Sequence, residues 1–177
     1  MAARVLYIAG VPASGKSCLI QQVRQKFDIS EPVKYGKCRA VKNRDGTIYV
    51  LGVFDGSAFE GTDKLPMDVI DDAIAFIKEL SKDNRDIAVL AEGDRLFNAR
   101  FLNEVRATLL LIDANAEELE ARHLIRGDNQ SEQFKRRCRT KIENFARKYG
   151  ISRVLNNDQR DAHKIFTRIK SFIQMNK

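Results

Sequence analysis

Gly10-Val11-Pro12-Ala13-Ser14-Gly15-Lys16-Ser17 decides the reading of this chain. It matches the phosphate-binding pattern GxxxxGK[ST] in full. Small residues let successive backbone amides curl around phosphate oxygens, Lys16 brings a point charge to the terminal phosphates, and the Ser17 hydroxyl can ligate magnesium. Cys18 follows inside the same binding segment. The flanks fit the motif. Val5 to Ala9 is a short apolar run ending at a Gly/Pro cluster, a buried strand. From Ser17 on, Leu19, Ile20, Val23 and Phe27 recur at helical spacing until the stretch Asp28 to Pro32.

Working outward, residues 33–42 and 47–54 flank Asn43-Arg44-Asp45-Gly46 and read as a hairpin whose second arm, Thr47 to Phe54, enters the main sheet. A polar loop runs from Asp55 to Pro66. A helix over Met67 to Leu80, a strand at Ile87 to Ala91, a helix around Asn98 to Arg106 and a strand at Thr108 to Ile112 come next. A polar helical region spans Glu117 to Tyr149, broken near Gly127-Asp128-Asn129, with Ser131 placed to cap its restart. Arg153 to Leu155 reads as a short strand and Asp158 to Met175 as a closing amphipathic helix. Strands alternating with helices predict an α/β fold of three layers around a mainly parallel sheet, with an added β-hairpin and a helical, arginine-bearing lid near 122–148. No repeat or linker divides the 177 residues, so a single domain is expected.

Composition narrows the function. Lys+Arg 31 against Asp+Glu 24 gives a net charge of +7. Between Arg122 and Lys148 nine Lys/Arg stand against three Asp/Glu, which points to an anionic partner, a triphosphate or a polynucleotide. No apolar run approaches the roughly 18 to 20 residues of a membrane span. The five apolar residues after Met-Ala-Ala-Arg are fewer than the roughly 7 to 15 of a signal-peptide core, so a cytoplasmic protein is expected. Cys18, Cys38 and Cys138 are widely separated, without disulfide or zinc spacing. His123 and His163 lack metal spacing too.

Three further constellations carry candidate chemistry. Glu92-Gly93-Asp94-Arg95 follows an apolar strand, so Glu92 and Asp94 can reach a magnesium shell beside the phosphate loop, and Arg95 can grip substrate oxygens. The loop from Asp55 to Lys64 offers Asp55 and Asp63 as the carboxylate that orients an acceptor hydroxyl. Arg122 and Arg126, one helical turn apart, can converge on one polyphosphate as a closing lid. Phe54, Phe59, Phe97 and Phe101 lie beside the acceptor elements and are candidates to stack on a base, Phe59 and Phe97 foremost. Arg136, Arg137 and Lys141 would touch nucleic-acid phosphates.

This order of phosphate loop, acidic loop, Glu-Gly-Asp-Arg segment and arginine lid resembles the nucleoside and nucleotide kinase superfamily. The segments Gly61-Thr62-Asp63-Lys64-Leu65, Glu92-Gly93-Asp94-Arg95-Leu96-Phe97 and Arg126-Gly127-Asp128-Asn129-Gln130 are similar to those of small P-loop kinases of bacteriophages, some of which phosphorylate 5-hydroxymethyluracil in DNA. That resemblance implies ATP and Mg2+ as cofactors, DNA with modified pyrimidines as acceptor and a host cytoplasm as location, and it favours Asp63, while its place at a strand end favours Asp55. The rival readings are a free (deoxy)nucleoside or nucleotide kinase and a DNA-associated ATPase or nucleotide-dependent binding module.

Overall fold

The computed structural model describes residues 2–57, 60–127 and 130–175, without the side chain of Arg126. Phe59, a candidate for base stacking, lies outside the described residues. β1 (Arg4–Gly10) leads into α1 (Lys16–Lys26), and three short strands follow: β2 (Glu31–Tyr35), β3 (Cys38–Lys42) and β4 (Ile48–Leu51). The chain continues through α2 (Ile70–Leu80), β5 (Ala88–Glu92), α3 (Ala99–Glu104), β6 (Thr108–Asp113), α4 (Ala116–Arg126), α5 (Glu132–Tyr149), β7 (Arg153–Leu155) and α6 (Gln159–Gln174).

The seven strands form one sheet in the order β2-β3-β4-β5-β1-β6-β7. From β4 to β7 all neighbours are parallel, and β2 and β3 extend one edge in antiparallel fashion. Because side chains alternate along a strand, Val5, Tyr7 and Ala9 of β1 pack under α2, α3 and α5. Leu6 and Ile8 pack under α1 and α6. Burial on both faces accounts for the unbroken apolar runs in β1 and β5.

One expectation needs correcting. Residues 33–42 are not a single hairpin arm but two strands joined by a tight turn at Gly36 and Lys37, with Tyr35 paired directly to Cys38. The turn is held from outside itself: Asp72 of α2 accepts from the Lys37 amide at 2.7 Å, and the Tyr35 ring stacks on Phe76 at 5.4 Å. The second hairpin forms as expected. Asn43 Oδ1 accepts from the amides of Thr47 (3.0 Å) and Ile48 (2.9 Å), closing the Asn-Arg-Asp-Gly loop through its own side chain.

Caps set the later helices. Asn98 accepts from Phe101 N at 2.9 Å and Ser131 from Phe134 N at 3.2 Å. The second half of the stretch expected as a lid is seated on the domain body. Ile142 is buried in the core, Phe145 and Ala146 pack against it, and the Phe145 ring lies 4.3 Å from Phe97. Arg139 and Arg153 converge on Asp113, a buried carboxylate at the end of β6. Among the described residues no helix is long and apolar enough to cross a membrane, and no group of three or more His, Cys, Asp or Glu gathers as a metal site.

Candidate active site

The parallel strands β1 and β5 end side by side, with Ile8 opposite Glu92, and everything that follows is built on those two ends. After Gly10 the chain turns back through Ala13 and Gly15, both left-handed (φ 62° and 89°), and enters α1 at Lys16. No side chain caps this helix, and its first turn carries no acid. Its amides and the positive end of its dipole are therefore offered to an anion. Lys16 Nζ reaches over the loop to the carbonyls of Gly10 (3.0 Å) and Val11 (2.9 Å).

The loop is clamped from behind by the β6–β7 side of the sheet. Asn156, buried just after β7, donates to Ser14 O at 2.8 Å, while Arg122 donates to Ala13 O (3.3 Å) and Asn156 O (2.8 Å) and is held in turn by Glu118. A larger residue at Gly15 would be strained at φ 89°, and its Cβ, 2.5 Å from Asn156 Nδ2, would push that side chain off Ser14 O. Asn156 Oδ1 is buried with no hydrogen-bond partner among the described residues.

The opposite side, where β4 and β5 end, is acidic. Glu92 is buried, and its Oε1 lies 3.3 Å from the Ser17 hydroxyl. Thr62 donates its hydroxyl to Glu92 O, docking the 62–64 turn onto the end of β5. Asp63 Oδ1 then accepts from the amides of Asp94 (2.7 Å) and Arg95 (3.0 Å). This contact requires glycine at 93. With φ at 107°, a Cβ there would lie 2.5 Å from Thr62 Oγ1 and 2.9 Å from Asp63 Oδ1. Tyr7, fully buried beneath, donates its hydroxyl to Gly93 O at 3.0 Å. Burial, and then the carboxylates of Asp63, Glu92 and Asp94, push its pKa well above the usual value, so it remains a neutral strut.

A cleft of about 470 Å³ lies between these two sides. Lys16, Ser17, Cys18, Asp63, Glu92, Asp94, Phe97 and Lys141 line it together with Gly10, Pro12 and Ala13 of the loop. It continues into a groove of about 900 Å³ along α5, lined by Arg136, Arg137, Thr140 and Asn144; both share Asp94, Phe134, Cys138 and Lys141.

The cleft thus lies at the carboxyl ends of parallel strands, with the phosphate loop as its floor. The family described as P-loop Nucleotide Kinase3 matches residues 1–150. This chain belongs to that family. It is a P-loop kinase, a phosphotransferase that binds a nucleotide. No curated protein matches it. Similar solved structures include APE1195, at 16% identity and TM-score 0.48 over 99% of this chain and 97% of that one. Another is a gluconokinase from Sinorhizobium meliloti 1021, at 14% and 0.46 over 99% and 98%.

Within this P-loop kinase the remaining candidates are placed unequally. Asp55 does not line the cleft. Lys64 holds it from both carboxylate oxygens at 2.7 Å, and that ammonium, then the Ser57 hydroxyl and amide, lowers its pKa to about 2. The Arg95 guanidinium folds back onto Asp63 O (3.0 Å) and the Met67 sulfur. Lys141 pairs with Asp94 at 2.5 Å and lies 5.2 Å over the Phe97 ring. Phe97 itself is core, 1% exposed between Tyr7 and Phe145, so the base-stacking role expected for it is not available. Ser17 and Glu92 present a hydroxyl and a carboxylate oxygen side by side, a donor set that suits magnesium, a hard cation that keeps several of its waters.

A further wall of the cleft holds Phe54, one of the aromatic candidates, with two residues that sequence reading missed, Arg24 and Glu60. The guanidinium carbon of Arg24 in α1 stands over the Phe54 ring, 4.1 Å from its centroid, and Arg24 reaches Glu60 at 3.5 Å. All three line the cleft. Arg24 comes from α1 and Glu60 from the loop after β4, and no short motif joins them. Asn156 was missed for the same reason.

Proposed function

We propose that this P-loop kinase transfers the γ-phosphate of ATP to a hydroxyl on a nucleic-acid base, with 5-hydroxymethyluracil in DNA as the acceptor. The observation that carries the reading is the continuity of the phosphate-loop cleft with the groove of α5, where Arg136, Arg137 and Lys141 stand with Glu132 and Asp94. A free nucleotide needs only the cleft. A polynucleotide also needs a track for its backbone, and Arg136, Arg137 and Lys141 supply cations along it.

In-line transfer places donor and acceptor on opposite sides of the moving phosphorus. The donor side is that of Arg122 and Asn156, with the loop amides and Lys16 on the phosphates. The acceptor side is that of Asp63. Its carboxylate, oriented by two backbone amides, takes the proton of the acceptor hydroxyl as that oxygen bonds to the γ-phosphorus and the bond to the ADP oxygen breaks. Ser17 and Glu92 would hold magnesium, which supplies positive charge to offset the charge of the phosphates when bound. Asp55, tied to Lys64 outside the cleft, is better suited to shaping the loop. The concentration of Glu60, Asp63, Glu92 and Asp94 on this side suits a neutral hydroxyl better than a phosphate acceptor, which like charges disfavour. A base within a duplex must be flipped out to reach this depth.

Labelled γ-phosphate offered with DNA containing 5-hydroxymethyluracil, ordinary DNA, free nucleosides and nucleotides, and gluconate tests the assignment. Transfer to the modified DNA above all others is expected. Preferential transfer to a free nucleotide or to gluconate overturns it, as does steady ATP hydrolysis indifferent to every acceptor.

A further inference from the structure

We propose that Arg24, Phe54 and Glu60 form the seat of the acceptor's base, with the Arg24 guanidinium as the flat surface on which the ring stacks and Glu60 as the acceptor of a ring N–H. The inference rests on the acceptor being a nucleobase, and it adds the residues that select it.

The three side chains form a layered unit at the acceptor end of the cleft. Phe54 follows β4, Arg24 stands two turns into α1, and Glu60 closes the loop after Phe54. The guanidinium is fixed on one face by the ring at 4.1 Å and at its edge by Ile29 O, which accepts from Arg24 Nε at 3.3 Å. Glu60 is fixed through Oε1, which accepts from the Gly56 amide at 2.7 Å. Its other oxygen meets Arg24 at 3.5 Å, a long contact by hydrogen-bond standards, so neither group is saturated by the other.

Arginine planes stack on nucleobases much as aromatic rings do. A guanidinium backed by a ring is a rigid platform, since its side-chain freedom is already spent. Beside it stands an acceptor, Glu60, which suits a base edge carrying an N–H, as the imide edge of a uracil does. A sugar acid has no planar face for the platform, and its carboxylate would meet Glu60 as a like charge. The unit also lies across the cleft from Arg122 and Asn156, on the side that in-line transfer leaves to the acceptor.

The test uses the full chain with Phe54→Leu, Arg24→Met and Glu60→Gln, measuring KM for 5-hydroxymethyluracil DNA, equilibrium binding of 5-hydroxymethyl-2′-deoxyuridine in the presence of ADP, and ADP affinity by itself. Each variant should raise the acceptor KM and weaken nucleoside binding by roughly tenfold, the size of one lost stacking or edge contact, with ADP affinity unchanged. The ADP measurement doubles as the control that the variant has folded. Unchanged acceptor KM and nucleoside binding in all three variants overturn the seat while leaving the kinase assignment standing. Wild-type protein that phosphorylates gluconate or a nucleoside monophosphate but not the modified DNA overturns both the assignment and the seat.

Discussion

At the phosphate loop the cleft is lined by backbone groups braced from behind, Ser14 by Asn156 and Ala13 by Arg122, whereas along α5 it is lined by Arg136, Arg137, Thr140 and Asn144, all exposed. Backbone held on both sides keeps one geometry, as phosphoryl transfer requires. Long exposed cations keep many, as a polymer of varied sequence and local shape requires. Loss at the first site should therefore act on chemistry, and loss at the second on capture.

The sharpest way to break that division is Lys16→Ala. Phosphoryl transfer should fall by more than roughly a hundredfold, because the variant loses charge stabilisation at the transferring group. Circular dichroism should show the fold intact, since the amine contacts the loop surface and not the core. Near-normal turnover would remove the loop from the chemistry.

The next effect compares two acids. Asp63→Asn should lower kcat by roughly two to four orders of magnitude, the span of general-base catalysis, with the KM for ATP unchanged, because its carboxylate stands on the acceptor side. Asp55→Asn should change kcat only severalfold. Steady-state kinetics on both variants decide the pair, and the reverse order would transfer the acceptor-positioning role to Asp55.

The smallest effect probes the groove. Arg136→Gln combined with Arg137→Gln should flatten the dependence of log affinity for DNA on log salt by about two units. ADP affinity should stay as in the parent. An unaltered salt slope would show that the polynucleotide runs elsewhere.

What the sequence could disclose was whatever is encoded within a few neighbouring residues. The phosphate loop, the Asn43 to Gly46 turn, the Ser131 cap and the β7 strand are all local, and the structure places them where the sequence analysis did. The turn at Gly36 was illegible because its support comes from α2, through Asp72 and Phe76. Phe97 was misread because an aromatic next to an acidic motif looks the same in sequence whether its ring faces a ligand or, as here, Tyr7 and Phe145. The braces at Asn156 and Arg122 and the stack of Arg24 on Phe54 join segments far apart in the chain. Periodicity and spacing carry no trace of such meetings.

The two borders of the sheet carry one more consequence. β2, the outermost strand on one side, contains Pro32, which has no N–H to offer, and places the charged Glu31 and Lys34 on an exposed ribbon. β7, the border on the other side, is three residues long, with exposed Arg153 bound sideways to Asp113. An incoming strand finds neither a long ladder nor an uncharged one on which to register. Both borders of the seven-stranded sheet are thus poor templates for the stacking of one copy upon another.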